Sequence, residues 1–95
     1  MNTTDSPTPA EAPSQELTVP DLTFGEKAVG LKFNPEAHTA VDVIKRHYAD
    51  AVDCLHNIRI SLPKDKSEEK AMLTLAIRDL QTSQMWAVKA VTWKY

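Results

Sequence analysis

Cysteine is nearly absent from this chain. Its 95 residues hold one, Cys54, so no intramolecular disulfide can form. A lone thiol on an apolar helix stripe reads first as a small buried hydrophobe. Clusters of metal ligands are missing too. His38, His47 and His56 are evenly spaced, and the last two point to opposite sides of a helix with 3.6 residues per turn. They do not converge on one ion, and the ligand count that zinc needs is not met. No apolar run approaches the roughly 18 residues that a membrane span needs. The start has neither a basic nor an apolar leader region, so a cytosolic chain is expected. A surplus of one charge is lacking as well. The net charge of −2 and pI of about 5.8 give no general attraction for DNA. No glycine-rich phosphate loop and no G-x-S-x-G elbow occurs. The chain is therefore read as a non-enzyme, with no cofactor and no metal.

What is present is unevenly spread. Pro7, Pro9, Pro13 and Pro20 lie among Thr, Ser, Asn, Glu and Ala without periodicity. Residues 1–20 are expected to form a disordered tail. Residues 21–95 remain for one small domain, a helical hairpin preceded by an N-terminal arm. A domain of this size buries only about 60% of its unfolded surface, and oligomerisation is a common remedy. In the arm, Leu22, Phe24, Val29, Leu31 and Phe33 are interrupted by the two glycines, Gly25 and Gly30. Val29 to Phe33 alternates as a strand does. An irregular arm lying on the helices fits equally well, and the glycines indicate turns or close backbone approach.

Asn34-Pro35 is a helix-start signal, with Thr39 and Asp42 a second possible start. Val41, Ile44, Tyr48, Ala51, Leu55, Ile58 and Leu62 then recur at alternating steps of three and four, a coiled-coil seam that Val52 widens. Pro63 ends this helix. In the turn from Lys64 to Glu68, Asp65 with Glu68 can cap the next helix, or Ser67 can. Two long helices joined by a short turn are antiparallel neighbours, so the fold class is all-α. The second helix has a seam at Leu73, Ala76, Leu80, Ser83, Ala87 and Ala90. Another apolar stripe runs through Met72, Leu75, Trp86 and Trp93. One partner helix cannot cover both, so the second stripe calls for another chain or a ligand. Full burial of Trp86 there would make loss of its ring cost about 3–5 kcal/mol.

Two residue pairs are candidates for ligand contact. Phe33 sits before the helix start and Lys45 within the helix. A ring beside an ammonium can stack a base, worth about 1–3 kcal/mol, and hold a phosphate. The plainer reading makes Phe33 a hydrophobic staple and Lys45 a solvated surface group. Arg78 and Thr82 share a helix face at i and i+4, where they can hold phosphate together or simply be exposed.

The stretch Met85-Trp86-Ala87-Val88-Lys89-Ala90-Val91, with Phe33-Asn34-Pro35 and Val41-Asp42-Val43-Ile44-Lys45, resembles the helical hairpin domain of small phage proteins that antagonise the CBASS and Thoeris defences. The resemblance spans Leu31 to Val91. It implies a protein of the host bacterial cytoplasm that sequesters cyclic nucleotide alarm signals without degrading them. It implies a symmetric homo-oligomer, a hexamer, with pockets between subunits. Phe33 and Lys45 match the cyclic dinucleotide pocket, and Arg78 and Thr82 fall in the region of the cyclic trinucleotide pocket. Cyclic ADP-ribose isomers are further implied ligands. The family aromatic is usually tyrosine, and Phe33 cannot donate a phenolic hydrogen bond. The spacing from Phe33 to the lysine also departs from the family's. Physically, a symmetric assembly brings one cation from each neighbour to a single anion, so a site can be positive in an acidic chain. The alternative is a structural or partner-binding hairpin oligomer with no small-molecule ligand.

Overall fold

The computed structural model describes residues 21–94. Among them the regular elements are three helices: α1 (Phe24–Ala28), α2 (Thr39–Ser61) and α3 (Ser67–Val91), with no strand. The tail expected over residues 1–20 lies outside the described residues. Helices α2 and α3 form the antiparallel hairpin. Its register is fixed by polar bonds between them, Tyr48 to Ser83 through their hydroxyls at 2.5 Å and the Arg59 guanidinium to the Thr74 hydroxyl at 2.9 Å.

The start of α2 falls at the second of the two expected places. His38 is the N-cap, its Nδ1 accepting from the Ala40 N–H at 3.2 Å. Ala37 takes a left-handed φ of 50°, which interrupts any helix begun at Asn34. Asn34 instead ties the approach together. Its side-chain oxygen accepts from the His38 N–H at 3.0 Å, and its amide donates to the His38 carbonyl at 2.9 Å and the Asp42 carboxylate at 2.8 Å. At the other end Leu62 is extended before Pro63, as the residue before a proline prefers. Neither expected cap of α3 is made: Lys66 is the N-cap and no side chain bonds there. Glu68 and Glu69 in the first turn oppose the positive end of the helix dipole instead.

The arm supplies the main departure from the expected packing. It is not a strand. Thr23 and Glu26 close a capping box on α1, and Val29 to Lys32 turn back through Gly30 at φ 62°. Helix α1 lies directly on α2 because Gly25 has no side chain: a Cβ there would sit 2.1 Å from the Ala49 carbonyl oxygen. Asp53 holds the start of α1, accepting from the Thr23 hydroxyl at 2.8 Å and the Gly25 N–H at 2.7 Å. Phe24 stacks on His56 with ring centres 4.2 Å apart.

This second neighbour rotates the buried stripe of α2. Its buried residues are Val41, Lys45, Ala49 and Val52. Ile44, Tyr48, Ala51, Leu55 and Leu62 of the expected seam are only half-buried, and Ile58 is exposed. The seam read from sequence assumed that α2 faces α3 alone. On α3 the buried residues are Ile77 and Gln84. Leu73, Ala76, Leu80 and Ala87 are half-buried beside them, whereas Ser83 and Ala90 are exposed. Cys54 is exposed, not buried as its apolar surroundings in sequence suggested, because it lies outside the sector that α1 and α3 cover. Met72, Leu75, Trp86 and Trp93 stay exposed together, Trp86 at 67%. The chain by itself therefore does not supply the burial expected of Trp86.

Candidate functional site

The open end of the hairpin brings the start of α2, the end of α3 and the arm together. A cavity of about 330 Å³ forms there, its walls including Phe33, Glu36, His38, Val41, Lys45, Val88 and Lys94. Phe33 and Lys45, twelve positions apart in the chain, are thus placed on one site. The Lys45 ammonium lies 5.5 Å from the centre of the Phe33 ring, within the range of a cation–π contact. The ring itself is 73% exposed, so its outer surface is available to a flat partner.

Lys45 is neither a solvated surface lysine nor an unengaged ligand group. It is 4% exposed. Its ammonium donates to the Gly30 carbonyl at 2.9 Å and, more closely, to the Phe33 carbonyl. An ammonium has three N–H donors, so two are committed to the arm and one remains. Burial pushes its pKa below the ordinary lysine range, with Asp42 partly opposing the shift. The plainer reading of Phe33 as a staple also fails, since the ring packs beside the lysine and is largely exposed. Across the cavity mouth the Lys94 ammonium meets the Glu36 carboxylate at 3.0 Å, both side chains well exposed. Sequence reading did not place Lys94, Glu36 or His38 on this cavity. Lys94 lies beyond the hairpin motif, and nothing local marks it as facing the arm.

Arg78 and Thr82 share one exposed face of α3. The Thr82 hydroxyl donates to the Arg78 carbonyl at 3.2 Å, and the Arg78 guanidinium donates to the Gln81 side-chain oxygen at 3.1 Å. They are neighbours, yet they line neither cavity described here. The second cavity, about 630 Å³ and more open, lies between the arm and α2 with Lys32, Asn34, Asp42, Arg46 and His47 on its walls. Arg46 is already paired there with Glu26 at 2.8 Å and reaches Asp50 at 3.7 Å. Its charge is largely spent on fixing α1. Among the described residues no group of three or more His, Cys, Asp or Glu could hold a metal ion. No helix among them is long and apolar enough to cross a membrane.

A hairpin of two long helices, with an arm folded over one flank and a cation–aromatic pair in the crease, defines a small helical-hairpin protein with a candidate anion pocket. The family can be named more closely. The model of the Acb2/Tad1 hairpin domain matches residues 26–92, and the chain belongs to that family, the anti-CBASS and anti-Thoeris sponges. The match takes in the arm from Glu26 onward, α2 and α3. No curated protein and no solved structure matches the chain.

Proposed function

We propose that this chain is a phage anti-defence protein that binds cyclic oligonucleotide immune signals in the host bacterial cytoplasm and holds them without cleaving them. This blocks activation of CBASS-type effectors. The observation that carries the reading is the Phe33–Lys45 pair on the wall of a pocket, in a chain of the Acb2/Tad1 family. The ring stacks a base, and the remaining ammonium N–H meets a phosphodiester oxygen. Charge-assisted contacts of this kind are stronger in a site that excludes water. The cavity of about 330 Å³ is at the low end of the ~300–1,000 Å³ usual for small-molecule sites. It suits one half of a cyclic dinucleotide, with the other half against a second copy. The exposed stripe of Met72, Leu75, Trp86 and Trp93 suits assembly into a symmetric oligomer, a hexamer. In that oligomer Arg78 and Thr82, beside the stripe, gather from several copies around a cyclic trinucleotide.

Titration calorimetry against cyclic dinucleotides, cyclic trinucleotides and cyclic ADP-ribose isomers tests this, with chromatography of the released ligand. Tight binding and intact recovery are expected. Absence of heat and of any thermal shift across the panel would sink the reading, and degraded products would favour a hydrolase. The same exposed stripe favours a second reading, a structural hairpin oligomer without ligand. It predicts the same hexamer and indifference to Phe33→Ala and Arg78→Ala, and an effect of Lys45→Ala no larger than its loss of stability accounts for.

A further inference from the structure

Lys45 has only one N–H left after bonding the Gly30 and Phe33 carbonyls. A phosphodiester offers two non-bridging oxygens and a full negative charge. A cyclic dinucleotide carries two such groups. Even with one such lysine from each copy, a single N–H meets one of the two non-bridging oxygens of each phosphodiester, and the wall of each copy must supply a further donor or the ligand must keep its water. Three other titratable groups face the cavity: His38, Glu36 and Lys94. The Nδ1 of His38 accepts from the Ala40 N–H as the cap, so its ring proton sits on Nε2 and the side chain offers one hydrogen bond but no charge. Glu36 repels a phosphate. Lys94 is the remaining cation, and it comes from the other side of the pocket, past the end of α3. Its partner is Glu36 at 3.0 Å, with side chains 67% and 62% exposed. Exposed pairs of this kind are weak and are readily exchanged.

We propose that Lys94 is a second phosphate-contacting residue of this pocket, held in reserve by Glu36 and transferred to the ligand on binding. Glu36 is then a selectivity element. It offsets the Lys94 charge when the pocket is empty, so a bound anion competes with its carboxylate for Lys94. This inference rests on the reading of the pocket as a cyclic nucleotide site.

The test uses the full chain and cyclic di-adenylate and cyclic di-guanylate as probes. Lys94→Ala is expected to weaken binding of the better probe by about tenfold, roughly the 1.4 kcal/mol that a tenfold change represents. Glu36→Gln is expected to strengthen it by about threefold, and to have a much smaller effect when Lys94 is already alanine. Lys64→Ala, in the exposed turn between α2 and α3, should leave binding unchanged and so controls for net charge. Wild-type binding that survives Lys94→Ala, or a gain from Glu36→Gln that persists undiminished without Lys94, overturns the assignment of Lys94 alone. Failure of the wild-type chain to bind either probe overturns the reading of the pocket, and the role of Lys94 with it.

Discussion

Replacing Lys45 with methionine keeps a long unbranched stem in the core and removes only the ammonium. Two charge-assisted hydrogen bonds to the Gly30 and Phe33 carbonyls disappear, each worth about 1.5–3 kcal/mol. Against that loss stands the cost of burying an ammonium that is 4% exposed, which is several kcal/mol for an ion fully withdrawn from water. The Gly30 carbonyl keeps its bond from the Phe33 N–H, and the carbonyl of exposed Phe33 can turn to water. The balance is a net loss of about 1–2 kcal/mol, or roughly 4–16 °C in Tm for a domain of this size. Lys45→Ala, which also gives up stem packing at about 0.8 kcal/mol per methylene, should lose more. Thermal unfolding at fixed protein concentration measures both. Hydrogen exchange localises the effect, because the Leu31 and Phe33 amides bond to Glu26 at 2.9 Å and Gly30 at 2.8 Å within the arm. They should lose protection before the α2 amides do. A Lys45→Met chain that melts at or above the wild type, with both arm amides unchanged, would refute the view that the lysine pins the arm.

The same residue carries a pH signature. Its folded pKa is lowered by burial, whereas the unfolded value is about 10.4. Between the two the unfolded chain binds more protons, so this group makes stability rise with pH through that window. Its cost is fully present below the folded pKa and is relieved as pH climbs toward the unfolded value. The useful quantity is the difference between wild type and Lys45→Met, in which the contributions of all other groups cancel. That difference should widen in favour of the wild type on the alkaline side, and a flat difference would refute the assignment.

Gly25→Ala forces a Cβ to 2.1 Å from the Ala49 carbonyl oxygen and should cost about 1–3 kcal/mol in urea unfolding, with α1 amides exposed; wild-type stability would refute the contact. Trp86→Ala removes a ring that is 67% exposed, so within one chain the cost should stay near 0.5 kcal/mol. Sedimentation should nevertheless show weaker self-association, and a concentration-independent loss of about 3–5 kcal/mol would mean that the ring is buried in the single chain. Glu26 is held below the ordinary carboxylate range by the Thr23 backbone N–H and then by Arg46. Its stabilisation is present above its unfolded pKa and is lost as pH falls through the depressed folded value. Glu26→Gln should therefore flatten the acid limb of the stability curve, and an unaltered limb would remove Glu26 from the account.

The hairpin was legible because Pro63, the short turn and two long apolar periods leave few alternatives to antiparallel helices. The arm was legible only as a pair of options. Five residues of α1 are too few to display a helical period, and the deciding fact, the approach of Gly25 to Ala49, is a long-range contact. Missing α1 also misplaced the seam. The positions one step round α2 from Ile44 and Tyr48 are Lys45 and Ala49, and they read as polar or small until a second neighbour covers that flank. Cys54 was misread for the same reason, since exposure depends on which sectors of α2 have partners. The pairing of Phe33 with Lys45 was within reach as a suggestion from their types and order. Lys94 was not, because its place opposite the arm depends on the end of α3 meeting the start of α2.

Lys45 ties these points together. A lysine at a core position of α2 normally signals a broken stripe, because a buried ammonium without partners is too costly to keep. Here the arm supplies two backbone carbonyls, and its turn points both at the lysine, the Gly30 oxygen accepting from the Phe33 N–H as well. The contacts that make the lysine tolerable also draw Phe33 alongside it. The candidate site is thus a consequence of how the arm folds. Any substitution that straightens residues 29–33, Gly30 at φ 62° being the most exposed to it, should disperse the cation–aromatic pair before it unfolds the hairpin. For Gly30→Ala, left-handed backbone costs a residue with a Cβ about 1 kcal/mol or more. Ligand binding by that variant should fall well before helix content does, as read by calorimetry and far-ultraviolet circular dichroism on one sample. Parallel loss of both would show that arm and hairpin form a single cooperative unit.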